Sequence, residues 1–342
     1  ARWITLRVPL RKEAGKVRIL APTKMPPQAN CALPAGFLLD QYRIDRQLSL
    51  GGFSIVYLAH DEIGTPVAIK EYLPNSLALR KDGEIEPQVS DEHLPAFRYG
   101  MKCFFEEGRS LAKLMHPNVV RVLNFFRANG TVYMVMQFER GRTLHDIIQK
   151  HRGELKESFI RTVFVRMLNG LREVHAHKLL HLDIKPSNIY LRADGTPVLL
   201  DFGASRQTLA SKQPVLKPMY TPGFAAPEQY DRRDQLGPWS DVYSVGAALH
   251  ACIVGKAPPR ADERVKNDTL QPLVRTHAEK YSAQLLGLVD WCLLLDPLAR
   301  PQSVYALQKA LVQKATATAE ATPHTRWFTD LGSRLKAFVG RS

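Results

Sequence analysis

The chain has 342 residues, of which 45% are hydrophobic and 23% are charged. These fractions are typical of a globular protein, and they exclude a wholly disordered or a fibrous chain. No apolar run approaches the roughly 20 residues that span a membrane, and the N-terminus lacks an apolar stretch of signal-peptide length. The first residue is Ala1 rather than Met, so a fragment of a longer protein is one expectation.

The net charge of +14 could indicate a nucleic acid or an anionic membrane as partner. Residues 1–36 carry seven Lys and Arg against one Glu, and residues 311–342 carry five against two acids. Nine of the fourteen charges therefore lie at the two ends, and the central region is only weakly basic. This distribution argues against nucleic acid as a partner of the folded part.

The four cysteines are Cys31, Cys103, Cys252 and Cys292. No two have C-x-x-C spacing, and no set of Cys and His has the spacing of a zinc site. We interpret them as free thiols in a reducing cytoplasm, with a disulfide or metal role as the less favoured alternative.

The predicted elements form two successive groups. After a Pro-rich tether over 20–36, alternating and β-branched residues predict strands from Tyr42 onward, in "YRIDRQLSLGGFSIVYLAHD" and "TPVAIKEYL". A helix is expected over 101–115, and strands over 119–127 and 131–138. Further along the chain the apolar spacing becomes helical, over 143–150, 157–177, 239–254, 281–294 and 301–315.

This order predicts an α+β protein in which a small β-rich lobe precedes a larger α-rich lobe. The four expected regions are a basic Pro-rich N-terminal extension (1–36), an N-lobe (37–138), a C-lobe (139–315), and a linker with a basic amphipathic segment (316–342).

The C-terminal segment has apolar residues near helical spacing, such as Trp327, Phe328 and Leu331, interleaved with Arg and Lys. Docking on the protein's own surface, or disorder, is the favoured interpretation. Contact with a membrane surface and binding in the groove of a partner are the alternatives.

The segment "HLDIKPSN" (181–188) holds an acid, a base and an amide at short intervals, namely Asp183, Lys185 and Asn188. Its proline biases it toward an extended loop. There a carboxylate can orient a hydroxyl, and an ammonium can offset phosphate charge. Asp201 follows the apolar strand "PVLL" and begins "DFG". The oxygens of Asn188 and Asp201 together predict a site suited to Mg²⁺, which favours few protein ligands plus substrate phosphates.

Eight stretches occur in order between Tyr42 and Leu311: "LSLGGFSIVYLA", "VAIK", "FFEEGRSLAKLMHPNVV", "HLDIKPSN", "DFG", "TPGFAAPE", "WSDVYSVG" and "DPLARP". On these motifs the chain resembles the eukaryotic-like (Hanks-type) protein kinases, and most closely their bacterial Ser/Thr branch. The resemblance implies the bilobal protein-kinase fold and transfer of the ATP γ-phosphate to protein hydroxyls. It also implies ATP with Mg²⁺, or Mn²⁺ as an alternative, as well as protein substrates and self-association for autophosphorylation.

The resemblance gives roles to the catalytic residues. Lys70 in "VAIK" matches the strand lysine that contacts the α- and β-phosphates, and Glu107 matches its partner on a helix. Asp183 matches the residue that accepts or orients the proton of the substrate hydroxyl, with Lys185 beside it.

The same resemblance places the adenine between the lobes. Met136 stands at the gatekeeper position, and the backbone of Gln137 and Phe138 is expected to bind the base. The remaining predicted contacts are apolar, with Leu48, Val56 and Ala68 above the ring and Tyr190 below it.

The loop expected to cover the phosphates departs from the family pattern G-x-G-x-x-G. Its three positions are Ser49, Gly51 and Ser54, with Gly52 beside the surviving glycine. Because glycine lets backbone N–H groups approach phosphate, we expect Gly51 and Gly52 to contact the nucleotide in a weakened or differently shaped way.

Leu182 is a second departure, since an arginine usually precedes the catalytic aspartate in this family. That arginine is commonly matched by a phosphate on the activation segment, whereas leucine carries no charge. We therefore predict that activity does not depend on a phosphate docking at position 182. The alternative is that another basic residue binds the phosphate. The hydroxyls of the activation segment are Ser205, Thr208, Ser211 and Tyr220, and Thr221 matches the threonine that contacts Asp183 and Lys185.

Three further matches are structural. Glu228 and Arg300 match a buried pair, and Asp241 matches the helix aspartate that holds the backbone of the catalytic loop. Residues 71–106, between Lys70 and its predicted partner, are long for a strand-to-helix link. They could clamp the helix or recruit a substrate, and the sequence does not decide between these roles.

Two other classes of function are alternatives to an active kinase. A nucleotide-binding pseudokinase or scaffold is disfavoured because Lys70, Asp183 and Asp201 are all present. The other is an adaptor whose basic ends bind nucleic acid or a membrane. The expected location is the cytoplasm, with membrane association through the flanking regions as an alternative.

Overall fold

The computed structural model describes residues 30–151, 154–202 and 220–313. Most of the predicted N-terminal extension, the C-terminal amphipathic segment and three of the four candidate phosphorylation hydroxyls lie outside the described residues. Within the described ranges, no helix is both long enough and apolar enough to cross a membrane.

The N-lobe is built on a six-stranded antiparallel sheet. The strands of this lobe are β1 (Leu38–Leu39), β2 (Tyr42–Leu50), β3 (Ser54–His60), β4 (Pro66–Tyr72), the separate hairpin β5 (Ala78–Leu79) and β6 (Gln88–Val89), β7 (Val122–Ala128) and β8 (Thr131–Gln137). Their spatial order in the large sheet is β1-β2-β3-β4-β8-β7. Strand β4, which carries Lys70, is therefore flanked on both edges.

Both faces of β4 are covered. Because side chains alternate along a strand, Lys70 and Tyr72 point to one face and Glu71 to the other. Helix α1 (Leu94–Leu111) packs on the first face, where the Tyr72 ring lies 5.4 Å from that of Phe97 and 5.8 Å from that of Phe104. The hairpin and residues 30–33 cover the second face. Burial on both sides agrees with the apolar run Val67–Ile69 and means that the two charged residues of β4, Lys70 and Glu71, are buried as well.

The C-lobe is mainly helical. Its helices are α2 (Leu144–His151), α3 (Glu157–Ala176), α4 (Glu228–Asp231), α5 (Pro238–Val254), α6 (Ala261–Lys266), α7 (Leu273–Thr276), α8 (Ala283–Cys292) and α9 (Val304–Val312). A small sheet of β9 (Gly141–Thr143), β10 (Ile189–Arg192) and β11 (Pro197–Leu199), with β10 in the middle, lies beside the interlobe cleft.

Two helices organise the C-lobe core. On α3 the buried apolar residues recur at helical spacing, as Ile160, Val163, Phe164, Met167, Leu168, Leu171 and Val174. Helix α5 is buried from Ser240 to Ile253, as expected for a segment that is apolar all round. It ends at Gly255, whose φ of +84° is the left-handed conformation that glycine adopts at little cost. This helix passes directly below the catalytic loop.

The α+β bilobal fold is confirmed, with differences at element ends. Helix α1 spans 94–111 rather than 101–115, since Pro95 can occupy a first-turn position where its missing N–H is not needed. Strand β7 begins at Val122 rather than Val119, and α9 begins at Val304 because Ser303 caps it. Residues 30–33, predicted within the tether, instead pack on the N-lobe, where Asn30 and Leu33 are buried.

Candidate active site

The catalytic loop brings its predicted residues into one hydrogen-bonded group. The Lys185 ammonium donates to Asp183 Oδ2 at 2.8 Å, and the Asn188 amide donates to the same oxygen at 2.9 Å. Thr221, from beyond the activation segment, donates its hydroxyl to Asp183 Oδ1 at 2.8 Å and accepts from Lys185 at 2.8 Å. These three side chains therefore fix the Asp183 carboxylate in one orientation.

A buried carboxylate on α5 holds the backbone of this loop. Asp241 Oδ1 accepts from the Leu182 N–H at 2.7 Å, and Oδ2 accepts from the His181 N–H at 2.9 Å. The His175 imidazole lies 2.7 Å from Oδ2. Burial opposes ionisation, yet hydrogen bonding from His175 and from the loop holds the pKa of Asp241 below its usual value. The loop is thus tied to a charged anchor in the core.

Leu182 packs in the interior, with 1% of its surface exposed. Its φ is +59°, a region that leucine rarely adopts, and the two ends of the residue are held by Asp241 and by Gln229. The Gln229 amide donates to the Leu182 carbonyl at 2.9 Å. The side chain therefore serves as packing, and the predicted independence from a docked phosphate stays a prediction.

The "DFG" aspartate lies at the end of β11 with a φ of +57°. Its carboxylate forms an ion pair with the Lys70 ammonium. The neighbouring Phe202 is buried, and its ring lies 4.3 Å from the His181 ring. Burial lowers the pKa of His181, and a neutral imidazole can donate from Nε2 to the Leu200 carbonyl, 3.0 Å away. Asp201 is thereby positioned opposite the catalytic loop.

Lys70 lies buried between β4 and α1 and faces several carboxylates. Burial opposes its charge, but the carboxylate of Asp201, followed by those of Glu107 and Asp183, raises the pKa of Lys70 above its usual value. Glu107 is itself buried on α1. The predicted quartet of one ammonium and three carboxylates is thus gathered in one place, while the roles assigned to its members stay predictions.

The predicted adenine contacts lie on strands that border the cleft. Val56, Ala68 and Tyr190 are half-buried on β3, β4 and β10. Leu48 is exposed on β2, and Ala68 pairs with Met136 across β4 and β8. These positions agree with a shared apolar wall.

One backbone group of Gln137, which is predicted to bind the base, already has a partner within the protein. Its backbone N–H already donates to the Arg121 carbonyl at 2.9 Å. Because each N–H makes one good hydrogen bond, Gln137 can offer a base only its carbonyl oxygen. Phe138 is half-buried at the end of β8.

The phosphate-covering loop is also tied back on itself. The Gly51 N–H donates to the Ser54 carbonyl at 2.9 Å, and the Gly52 carbonyl accepts from the Asn75 N–H at 2.9 Å. The Gly51 N–H is therefore not directed at a phosphate in this conformation. The altered contact with the nucleotide stays a prediction, while the bond from Asn75 shows that the long link after β4 supports the loop.

The predicted buried pair is present in the C-lobe. Arg300 donates to Glu228 at 2.8 and 3.1 Å, and both side chains are buried. Ser240 also donates to Glu228 at 2.7 Å. The pair joins the end of the activation segment to the last part of the domain.

Sequence reasoning missed the residues that surround Glu71. Glu71, Arg80, Tyr57 and Tyr133 form a buried polar network on the outer face of the sheet. The signal available in the sequence was local. A glutamate next to Lys70 in an otherwise apolar strand must face the side opposite to the lysine.

Comparison with known proteins agrees with this geometry. The model of the protein kinase domain family matches residues 42–312. Serine/threonine-protein kinase B of Synechocystis sp. is 30% identical over 238 residues, which cover 66% of this chain and 38% of that protein. Serine/threonine-protein kinase C of the same organism is 29% identical over 291 residues, which cover 81% and 50%. The solved apo form of PpkA-294 has a TM-score of 0.72 and 36% identity, and the match covers 82% of this chain and 99% of that one.

The fold is the bilobal fold of protein kinases, and the catalytic-loop residues Asp183, Lys185 and Asn188 lie together in it. The chain belongs to the protein kinase family, and its likeness to the two serine/threonine kinases confirms the resemblance to the bacterial Ser/Thr branch. It spans half or less of the length of these curated relatives.

Proposed function

We propose that this chain is an active Ser/Thr protein kinase, which transfers the γ-phosphate of ATP to hydroxyls of protein substrates and of a second copy of itself. The observation that carries the proposal is the hydrogen-bonded group of Asp183, Lys185, Asn188 and Thr221, opposite the Lys70–Asp201 ion pair. Phosphoryl transfer needs positioning and charge neutralisation more than covalent help, and these groups can supply both.

The Asp183 carboxylate has room for one further donor. Its Oδ2 accepts from Lys185 and Asn188, whereas its Oδ1 accepts only from Thr221 among the hydrogen bonds observed. Because each carboxylate oxygen offers two acceptor positions, a substrate hydroxyl could donate to Oδ1. Asp183 would then orient that hydroxyl and take its proton, while Lys185 would offset phosphate charge.

Asn188 and Asp201 fit the metal that the family implies. The Asn188 amide nitrogen donates to Asp183, so its carboxamide oxygen is the atom suited to a hard cation, together with the Asp201 carboxylate. Among the described residues, no group of three or more His, Cys, Asp or Glu could hold a metal ion. Mg²⁺ favours few protein ligands together with substrate phosphates, so phosphate oxygens of the nucleotide would complete the site around Mg²⁺ or Mn²⁺. When bound, the ion would neutralise charge on the nucleotide.

A pseudokinase or scaffold receives no specific support, since Lys70, Asp183 and Asp201 are all retained and meet at one site. The proposal includes a cytoplasmic location and contact of the basic flanking regions with a membrane surface. Most of these two regions lies outside the described residues. A kinase domain lacking residues 1–29 and 316–342 would separate these roles: membrane binding should be lost while phosphotransfer is kept.

The direct test is transfer of labelled γ-phosphate from ATP to a generic Ser/Thr acceptor protein in the presence of Mg²⁺. Asp183→Asn should lower the rate by roughly 10²–10⁴-fold, the usual contribution of a positioned acid or base. Asp45→Asn, at an exposed position on β2, is the matched control and should leave the rate unchanged. Equal rates for the wild type and Asp183→Asn would overturn the proposal.

A further inference from the structure

The outer face of the N-lobe sheet contains a fully buried pair of charges. Glu71 follows Lys70 on β4 but points to the opposite face, and neither Glu71 nor Arg80 has any exposed surface. Arg80 lies in the link between β4 and α1, just after strand β5. The pair therefore connects the strand of Lys70 to the segment that leads into the helix of Glu107.

Every acceptor position of the Glu71 carboxylate is used. Arg80 donates from its two terminal nitrogens, at 2.5 Å to Oε1 and at 2.7 Å to Oε2. The Tyr133 hydroxyl donates to Oε1 at 2.8 Å, and the Tyr57 hydroxyl donates to Oε2 at 2.6 Å. Two donors on each oxygen saturate the group.

The guanidinium of Arg80 is saturated as well. Besides Glu71 it donates to the Tyr57 hydroxyl at 2.9 Å, to the Ile85 carbonyl at 3.4 Å, and from Nε to the Cys31 carbonyl at 2.8 Å. These bonds account for its five N–H donors. One of them requires residue 31, which lies before the first strand of the kinase domain.

Residues 30–33, which we name the strap, complete the network. The Asn30 carboxamide accepts from the Arg80 N–H at 2.6 Å and donates to the Ala78 and Leu73 carbonyls at 3.3 and 3.4 Å. The Leu33 N–H donates to the Tyr57 hydroxyl at 3.1 Å. The strap thereby ties the start of the link and its hairpin to the sheet.

The same link supports two parts of the active site. The Leu73 and Asn75 N–H groups donate to the Phe53 and Gly52 carbonyls at 2.9 Å each, and so hold the loop expected over the phosphates. At its other end the link continues into α1, which carries Glu107. A buried ion pair is weak evidence for stability but can specify one arrangement of the chain. Here that arrangement places the loop and the helix around Lys70.

We propose that Arg80 is a positioning residue for phosphotransfer: bound to Glu71 and closed over by the strap, it holds the link in the one path that sets the phosphate loop and α1 around Lys70. The proposal rests on the proposed kinase function. It also assigns a role to residues 71–106, which the sequence left open.

The test compares Arg80→Lys with Arg264→Lys. Arg264 is also a buried arginine with a Tyr and an acidic partner: it donates to Tyr243 at 3.0 Å and to Asp268 at 2.9 Å, but it lies on α6 in the C-lobe. Both variants keep the positive charge and lose the planar fork. The readouts are KM for ATP, kcat, affinity for a fluorescent ATP analogue, the melting temperature, and hydrogen exchange of the α1 amides.

We expect Arg80→Lys to raise KM for ATP and the dissociation constant of the analogue by roughly tenfold, since small misplacements around a reacting group have effects of this size or larger. The α1 amides should exchange faster. Both variants should lower the melting temperature by similar amounts. Arg264→Lys should leave KM for ATP, the affinity for the analogue and the exchange of the α1 amides unchanged. Equal effects of the two variants, or an unchanged KM in Arg80→Lys, would overturn the proposal.

Two provisions keep the outcome decisive. If Arg80→Lys does not fold, Asn30→Ala replaces it, because it removes only the side-chain bonds of the strap and should raise KM for ATP by about threefold. If the wild type transfers no phosphate, the proposed function fails. Analogue affinity and α1 exchange then still decide whether Arg80 positions the nucleotide site.

Discussion

Both lobes bury a glutamate against an arginine, but the two pairs are completed by different kinds of partner. In the C-lobe, Arg300 also donates to three backbone carbonyls, those of Leu294, Leu295 and Trp239, all within that lobe. In the N-lobe, Arg80 also donates to the Tyr57 hydroxyl, to the nearby Ile85 carbonyl, and to the Cys31 carbonyl, which lies 49 residues away and before the first strand of the sheet.

This difference separates a pair inside the core of one lobe from a pair that connects two parts of the candidate site. The Glu228–Arg300 pair lies among helices of the C-lobe core, where its loss should be felt as loss of stability. The Glu71–Arg80 pair lies beside a link that is hydrogen-bonded at one end to the loop predicted to cover the phosphates and continues at the other end into α1. Its loss should therefore be felt in nucleotide binding as well.

The largest effect is expected from breaking the C-lobe pair. Arg300→Leu leaves the Glu228 carboxylate buried without its charged partner, and should lower the free energy of unfolding by about 3–5 kcal/mol. Replacing both residues by leucine should recover part of this loss, because the buried charge is then gone. Urea unfolding of the single and double variants measures both effects. A loss below about 1 kcal/mol in the single variant would contradict the role of the pair.

A smaller, pH-dependent effect should also arise in the C-lobe. His250 is buried, and burial lowers its pKa to about 4. The unfolded chain therefore binds a proton near pH 6.5, where the folded protein does not. The stability contributed by the neutral imidazole is complete above about pH 6.5, and up to about 3 kcal/mol of it is lost as the pH falls toward 4.

The measurement is urea unfolding of the wild type, His250→Leu and His145→Leu between pH 7 and pH 4. The His250→Leu variant loses the bond to the Lys256 carbonyl, 3.2 Å from His250, and should be less stable at all pH values. Its free energy of unfolding should, however, fall less between pH 6.5 and pH 4 than that of the wild type. His145, exposed on α2, is the control and should leave the decline unchanged. Parallel pH curves for all three proteins would exclude His250 as the source.

The smallest effect is expected from the activation segment. Because Leu182 offers no cation to a phosphate, complete dephosphorylation of the chain should change kcat/KM by less than about twofold. Phosphatase treatment followed by mass spectrometry and a kinase assay measures this. Loss of most of the activity would show that another basic residue binds an activating phosphate.

Much of the active site could be predicted because its parts are close in the chain. Asp183, Lys185 and Asn188 lie within six residues, so an extended loop brings them together whatever the remaining path of the chain. The order of the motifs then placed Lys70 and Asp201 by resemblance. The helical period of α3 likewise predicted its buried face, since 3.6 residues per turn is a local property of the backbone.

The sequence left the hydrogen-bond partners of individual backbone groups undecided. The N–H of Gln137 is used by Arg121, and the N–H of Gly51 is used by Ser54. Both depend on how neighbouring strands pair and twist. Residues 30–33 were predicted to be part of a tether because the stretch 20–36 is Pro-rich. In the structure, the Asn30 side chain forms hydrogen bonds with three backbone groups of the link after β4.

By itself, the sequence determined the two-lobed order of elements, the spacing of the catalytic loop, and the side of β4 to which Glu71 points, because each depends on residues a few positions apart. Only the tertiary structure decided that Arg80 meets Glu71 and that the strap closes over both. The physical reason is that a buried charge must be satisfied by whichever groups the folded chain brings to it. Here Tyr57, Tyr133 and the Cys31 carbonyl supply such groups from β3, β8 and the strap, which are separate in the sequence.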